Sequence, residues 1–203
     1  MPTEVRGLSL EELAERIREC PDCRLSQSRS RAVPGEGKST PGLLFVGEAP
    51  GWHEDQTGRP FVGPAGQFLE ELLRSIGLKR EEVFITNIIK CRPPSNRDPL
   101  PDEVDACRKY LDRQIELLKP RAIITLGRHA LARFFPSKTI SQAHGTWRKE
   151  NSTIYFAMYH PAAALHQGTL RKIIQEDFLR LPQALKEAEQ ARAEKPSQQL
   201  SLF

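Results

Sequence analysis

The sequence predicts an α/β fold, a three-layer α/β/α sandwich around a central, mainly parallel four-stranded sheet. Three observations lead there. Apolar runs of strand length alternate with segments of helical period. The runs are near-continuous in apolar residues, as strands covered on both faces are. Several of them end in unusual polar residues, at the sheet edge where such folds bind ligands. The 203 residues suffice for one domain with a proper core.

Each element has a local reason. Ser9-Leu10-Glu11-Glu12 reads as a capping box, and Leu10, Leu13 and Ile17 carry the helical period on to Cys20. Residues 21–41, rich in Ser, Arg, Gly and Pro, read as loop. Residues 42–47 (GLLFVG) form a buried strand bounded by turn signals. The stretch GEAPGWHEDQTGRPFVG, residues 47–63, reads as a loop at the mouth of a site, its glycines letting backbone approach a ligand. Residues 64–76 are a helix with Phe68, Leu69, Leu72, Leu73 and Ile76 on one side and Gly77 as C-cap. Residues 83–89 are the second strand, running into a segment too proline-rich for regular structure. Residues 101–118 are a helix carrying Cys107, Tyr110 and Leu111, and residues 122–126 the third strand. A short helix over 129–135 and a fourth strand over 153–159 follow, the latter leading straight into His160-Pro161. Residues 170–188 form a last helix, broken or bent near Pro182.

Composition sets the outer bounds. Hydrophobic residues make up 38 % and charged residues 28 %, the balance of a soluble globular protein, and no apolar run is long enough to cross a membrane. The N-terminus has no apolar signal core and is acidic early, so secretion is not expected and a cytoplasmic protein is. The net charge of +4 mildly favours a polyanionic partner. The four cysteines, Cys20, Cys23, Cys91 and Cys107, then sit in a reducing compartment where stable disulfides are a poor default. Cys20-Pro21-Asp22-Cys23 is a ligand-type knuckle, and Cys91 and Cys107, 16 positions apart, can close a four-thiolate site. Zinc and iron–sulfur clusters both accept such a set, and the spacing does not choose between them.

Glu48 follows the first strand, Asn87 lies near the end of the second, and His160 follows the fourth. Each alone has a plain structural role open to it: a turn cap, a loop tie, a satisfied histidine. Together at one sheet edge they point to a site. The glycine loop is neither a Walker loop, since no Gly-Lys-Ser/Thr follows, nor a G-x-G-x-x-G fingerprint.

These residues resemble the family 4 uracil-DNA glycosylases, the iron–sulfur branch found in bacteria and archaea. The resemblance rests on Gly47-Glu48-Ala49-Pro50-Gly51 with Glu54-Asp55 and residues 57–63 (TGRPFVG), on residues 85–94 (ITNIIKCRPP), and on His160-Pro161-Ala162, in that order. It spans roughly residues 20–181. It implies a [4Fe–4S] cluster on Cys20, Cys23, Cys91 and Cys107, serving as a staple rather than in redox chemistry. It implies removal of uracil from single- or double-stranded DNA by hydrolysis of the base–sugar bond, with the base flipped out of the helix. Phe61 then supplies a stacking ring, Asn87 pairs with the O4 and N3–H edge of uracil, and His160, with a backbone N–H near Ala49, stabilises charge growing on O2. Glu48 is the candidate for positioning water, Pro50 lines the pocket, and Glu54 is a second catalytic candidate that orients neighbours. Around Leu165 a wedge into the duplex is expected, and Arg59, Lys90, Arg92, Arg97, Arg171 and Lys172 are candidate phosphate contacts. Trp52-His53 departs from the family pattern.

Residues 1–190 are thus expected as the catalytic domain, a monomer, and residues 191–203 as a flexible tail. The tail ends Gln199-Leu200-Ser201-Leu202-Phe203, which resembles the pentapeptide by which bacterial replication and repair proteins engage the sliding clamp. Two alternatives stand beside the enzyme: a non-catalytic nucleic-acid-binding protein, and a covalent uracil-DNA-binding relative of the same fold. The second is disfavoured because residues 92–99 (RPPSNRDP) lack the histidine of that branch.

Overall fold

A computed structural model describes residues 4–38 and 42–193, with side chains to residue 187. Among the described residues five strands form one sheet: β1 (Leu43–Gly47), β2 (Phe84–Asn87), β3 (Ala122–Leu126), β4 (Trp147–Glu150) and β5 (Thr153–Met158), in the spatial order β2-β1-β3-β5-β4. The four expected strands are all present and run parallel, and β4 is an additional antiparallel edge strand on β5. Its sequence, Trp-Arg-Lys-Glu, is mostly exposed and charged. That is how edges are protected from further pairing, and it is why no apolar alternation announces this strand.

Among the described residues the α-helices are α1 (Leu10–Arg18), α2 (Trp52–Thr57), α3 (Pro64–Ser75), α4 (Pro101–Leu118), α5 (Arg128–Phe134), α6 (Ile140–Ala143), α7 (Ala163–His166), α8 (Gly168–Phe178) and α9 (Leu181–Ala193). The Ser9–Glu12 capping box forms in both directions. Part of the glycine-rich stretch, read as loop, is the short helix α2, which opens at Gly51 and closes at Gly58 in left-handed geometry. The single last helix is instead α8 and α9, which part at Leu179–Arg180, because Pro182 fits the first turn of a new helix and not the interior of an old one.

Alternating strand residues divide the core. Leu44, Val46 and Ile123 pack with Leu13, Tyr110 and Leu131 of α1, α4 and α5. Leu43, Phe45, Ile124 and Phe156 pack with Phe68, Leu72, Ile174 and Phe178 of α3 and α8. Helices therefore cover both faces. The chain steps from β1 outward to β2 and then across β1 to β3, so the order reverses at β1, and the crevice opens at the carboxyl edge there.

Candidate active site

At that edge lies a cavity of about 390 Å³ lined by Glu48, Ala49, Pro50, Glu54, Phe61, Asn87 and His160, all seven of the residues expected there, with Gly51, Arg97, Ala162 and His166 among the rest. Gly47 makes the assembly possible. A Cβ there would lie 2.4 Å from Asn87 Oδ1 and 2.7 Å from Phe61 Cζ, so only glycine lets both side chains close over the strand end.

The side chains differ in how they are satisfied. Asn87 is buried to 1 % exposure, yet its Oδ1 has no hydrogen-bond partner among the described residues. A buried amide oxygen left open inside a cavity is poised for a ligand donor. Phe61 has φ +51°, an uncommon conformation for a bulky residue, and its ring stacks on His160 at 5.5 Å between centroids. Arg80 holds that turn by donating to the Phe61 carbonyl at 2.8 Å and to the Pro60 carbonyl. His160 Nδ1 accepts from the Ala162 amide at 3.1 Å. Burial pushes the imidazole down to about 4, so the ring is neutral near pH 7 and its proton sits on Nε2.

The three acids of the glycine-rich stretch have separate tasks. Glu54 accepts from the amides of Val62 and Gly63 at 2.9 Å and from Gly51 at 3.1 Å, which ties both ends of the stretch together. Asp55, buried, accepts from the Ser30 amide at 2.9 Å and fastens α2 to the segment after the cysteine knuckle. Glu48 alone faces the cavity without such ties. Burial raises its carboxyl above the ordinary range, His129 and Arg128 counteract this, and Asp98 adds to it. His129 Nε2 lies 3.7 Å from Glu48 Oε2 and 3.4 Å from Asp98 Oδ1. Sequence reading missed His129 and Asp98. His129 carries the signal that found Glu48 and His160, since it follows a strand end, after β3. Asp98 sits in a proline-rich loop and has no such signal.

The four cysteines come together on one small cavity between α1, the end of β2 and α4, beside Ile17 and Tyr110, and none is in a disulfide. Burial pushes Cys91 up to about 11 and Cys107 up to about 12, so as free thiols both stay protonated. Two cations face them. Arg29 Nη1 donates to Cys91 Sγ at 3.1 Å and to the Cys20 carbonyl at 2.8 Å. Lys90, 1 % exposed, also lines this cavity. The expectation that Lys90 contacts phosphate is therefore wrong: its ammonium is turned inward to Thr86 and Gln114.

The other basic candidates lie nearer the surface. Arg97 lines the cavity and is clamped by buried Glu103 at 2.6 and 2.9 Å. Arg59 pairs with Glu36, Arg171 with Glu71, Arg92 bonds Asn96, and Lys172 is 83 % exposed. Leu165 on α7 and Trp52 on α2 are exposed large apolar side chains, and the Trp52 ring meets His53 edge-on. Gln199, Leu200, Leu202 and Phe203 lie outside the described residues. No described helix is long and apolar enough to cross a membrane.

The family model of the uracil DNA glycosylase superfamily matches residues 34–185. A type-4 uracil-DNA glycosylase of Sulfurisphaera tokodaii is 49 % identical over 183 residues, covering 85 % of this chain and 83 % of the relative. Namesakes from Archaeoglobus fulgidus and Thermotoga maritima are 45 % and 43 % identical, covering 85 % and 83 % of this chain and 92 % and 91 % of their own lengths. With this fold, this cavity and these relatives, the chain belongs to the uracil DNA glycosylase superfamily, in its type-4 branch.

Proposed function

We infer that this protein is a uracil-DNA glycosylase of base-excision repair, which extrudes uracil from DNA and hydrolyses its N-glycosidic bond to leave an abasic site. The observation that carries the reading is the unpartnered Asn87 Oδ1 in a cavity walled by Phe61 and a neutral His160. Uracil N3–H meets Oδ1 and uracil O4 meets the amide Nδ2. Cytosine brings an acceptor at N3 and a donor at C4, which leaves buried groups opposed and excludes it.

The chemistry follows from where charge develops. As the bond breaks, electrons collect on the base, chiefly at O2, and the sugar becomes cation-like. His160 Nε2–H donates to that oxygen. A neutral imidazole donates a hydrogen bond without delivering a full proton, and one such donor is worth about 10²–10³ in rate. The Glu48 carboxylate positions water and favours the sugar cation, and its raised pKa makes it the better base once ionised. Glu54, with its oxygens bonded to backbone amides, shapes the loop rather than reacting. In this reading Leu165 enters the space the flipped base leaves, and Arg97, held by Glu103 at the cavity wall, meets phosphate.

We assign a [4Fe–4S] cluster to Cys20, Cys23, Cys91 and Cys107. Among the described residues no three of the four sulfurs gather within 4.8 Å of one another, whereas one tetrahedral zinc ion holds its sulfurs about 3.8 Å apart. The flanking Arg29 and Lys90 suit a thiolate set. When bound, the cluster supplies a cross-link between the N-terminal knuckle, the end of β2 and α4. We also propose that the chain acts as a monomer and that its last five residues engage the sliding clamp. A tail peptide that shows no affinity for the clamp would remove the latter.

The test of the activity uses end-labelled oligonucleotides with one uracil opposite guanine, opposite adenine or in a single strand, followed by alkali. Cleavage at uracil and not at cytosine or thymine is expected. No cleavage by protein with intact visible absorption would overturn the assignment.

A further inference from the structure

Lys90 stands on the four-residue path from Asn87 to Cys91 and belongs to the walls of the cysteine cavity. Its Nζ donates to Thr86 Oγ1 at 2.6 Å, to the Asn87 carbonyl at 2.7 Å and to Gln114 Oε1 at 2.8 Å. The first and third acceptors are fixed as such, because the Thr86 hydroxyl and Gln114 Nε2 both donate to the Pro34 carbonyl. Three acceptors at hydrogen-bond distance require three N–H donors, which only the ammonium form has. Lys90 is therefore a buried cation, and all three of its partners are neutral; among the described residues it forms no ion pair with a carboxylate.

A buried charge without a counter-charge is costly and is kept where something neutralises it. What shares the cavity with Lys90 is Cys20, Cys23, Cys91 and Cys107, neutral as thiols and anionic once they ligate. The same ammonium grips the backbone of the residue whose side chain faces the uracil cavity. We propose that Lys90 is a positioning residue that couples the two sites: its ammonium is the counter-charge of the four-cysteine site, and its hydrogen bond to the Asn87 carbonyl sets the uracil-reading amide. The inference rests on the cluster assignment above and goes beyond it by giving the cluster's surroundings a role in base recognition.

The experiment compares the parent protein with Lys90→Met and Lys90→Gln, all isolated anaerobically with their iron. Lys90→Gln removes the charge but keeps an N–H donor, and it serves if Lys90→Met does not fold. Three quantities are read: the rate at which a chelator bleaches the visible absorption, the reduction potential, and inhibition by free uracil. In both variants bleaching should be about tenfold or more faster, the range of losses seen when a group supporting metal ligands is removed. The potential should fall in both, since a nearby positive charge favours the reduced cluster. Free uracil should inhibit Lys90→Met less than Lys90→Gln, and both less than the parent. Parent-like bleaching and potential in Lys90→Gln would overturn the counter-charge, and parent-like uracil inhibition in Lys90→Met would overturn the coupling. A parent protein without iron or sulfide would instead overturn the cluster assignment, and this inference with it.

Discussion

The proposed uracil cavity and the four-cysteine site share the stretch from Asn87 to Cys91, yet they are built by opposite rules. The cavity keeps an open buried oxygen on Asn87, a left-handed Phe61 and a carboxylate on Glu48 whose burial raises its pKa. Around the cysteines Arg29 spends its donors on Cys91 and on the Cys20 and Arg18 carbonyls, and Lys90 fills its three. Unsatisfied and strained groups persist where a ligand will meet them, and satisfied ones where the fold must hold. Variants of the first region should therefore cost rate, and variants of the second should cost stability.

The largest effect should come from His160→Ala, a loss of about 10²–10³ in kcat with the melting temperature little changed. Asn87→Ala sharpens the contrast further. It removes an unsatisfied buried group, so uracil cleavage should collapse while thermal stability holds or rises. A parallel fall in both quantities for either variant would break the comparison.

pH separates the two polar catalytic candidates. The His160 ring stays neutral down to about 4, so the acid limb of kcat/KM should follow Glu48, whose carboxyl is raised by burial. Activity falls as pH drops and this raised carboxyl takes up its proton, and Glu48→Gln should lower the rate and flatten the limb. Stability carries the mark of His160. Its folded pKa lies below the ordinary 6.5, so the unfolded chain binds more protons in between, and stability is lost as pH falls from about 6.5 towards 4. Unfolding measured across that window should be flatter in His160→Gln.

Next in size is the support of Phe61. Arg80, its side chain 10 % exposed, bonds the Pro60 and Phe61 carbonyls and pairs with Glu36. Arg80→Met should release the turn and reduce kcat/KM by roughly tenfold, through weaker base binding. On the other side of the comparison, Cys23→Ser should lower the melting temperature by several degrees, at about 2–4 °C per kcal/mol for a chain of this size, before the chemistry suffers. Unchanged melting would count against a stapling cluster.

Why the cavity was readable and its supports were not is a matter of range. The sheet, the Ser9 cap, and Glu48, Asn87 and His160 at strand ends all follow from patterns within a few residues. The burial of Lys90 depends on Gln114, 24 positions away, and nothing local distinguishes it from a surface lysine. Glu54 and Asp55 are adjacent acids with different fates, one bonding Val62 and Gly63 and the other Ser30 across 25 positions. The strand β4 escaped because charged edge residues erase the alternation that marks a strand. α2 escaped because its caps are glycines, which read equally as turn.

The smallest effect should lie at the rim. Leu165 is 46 % exposed on α7, next to His166 of the cavity wall, and so contributes little to the core. If it fills the gap left by an extruded base, it is needed only where a stack must be opened. Leu165→Ala should then slow cleavage of uracil in a duplex by several-fold and leave single-stranded substrate nearly unaffected, since unstacking costs about a few kcal/mol in a duplex and least in a single strand. Equal slowing on both substrates would make Leu165 part of the pocket itself, and the line between a strained interior and a tolerant rim would have to be redrawn inside α7.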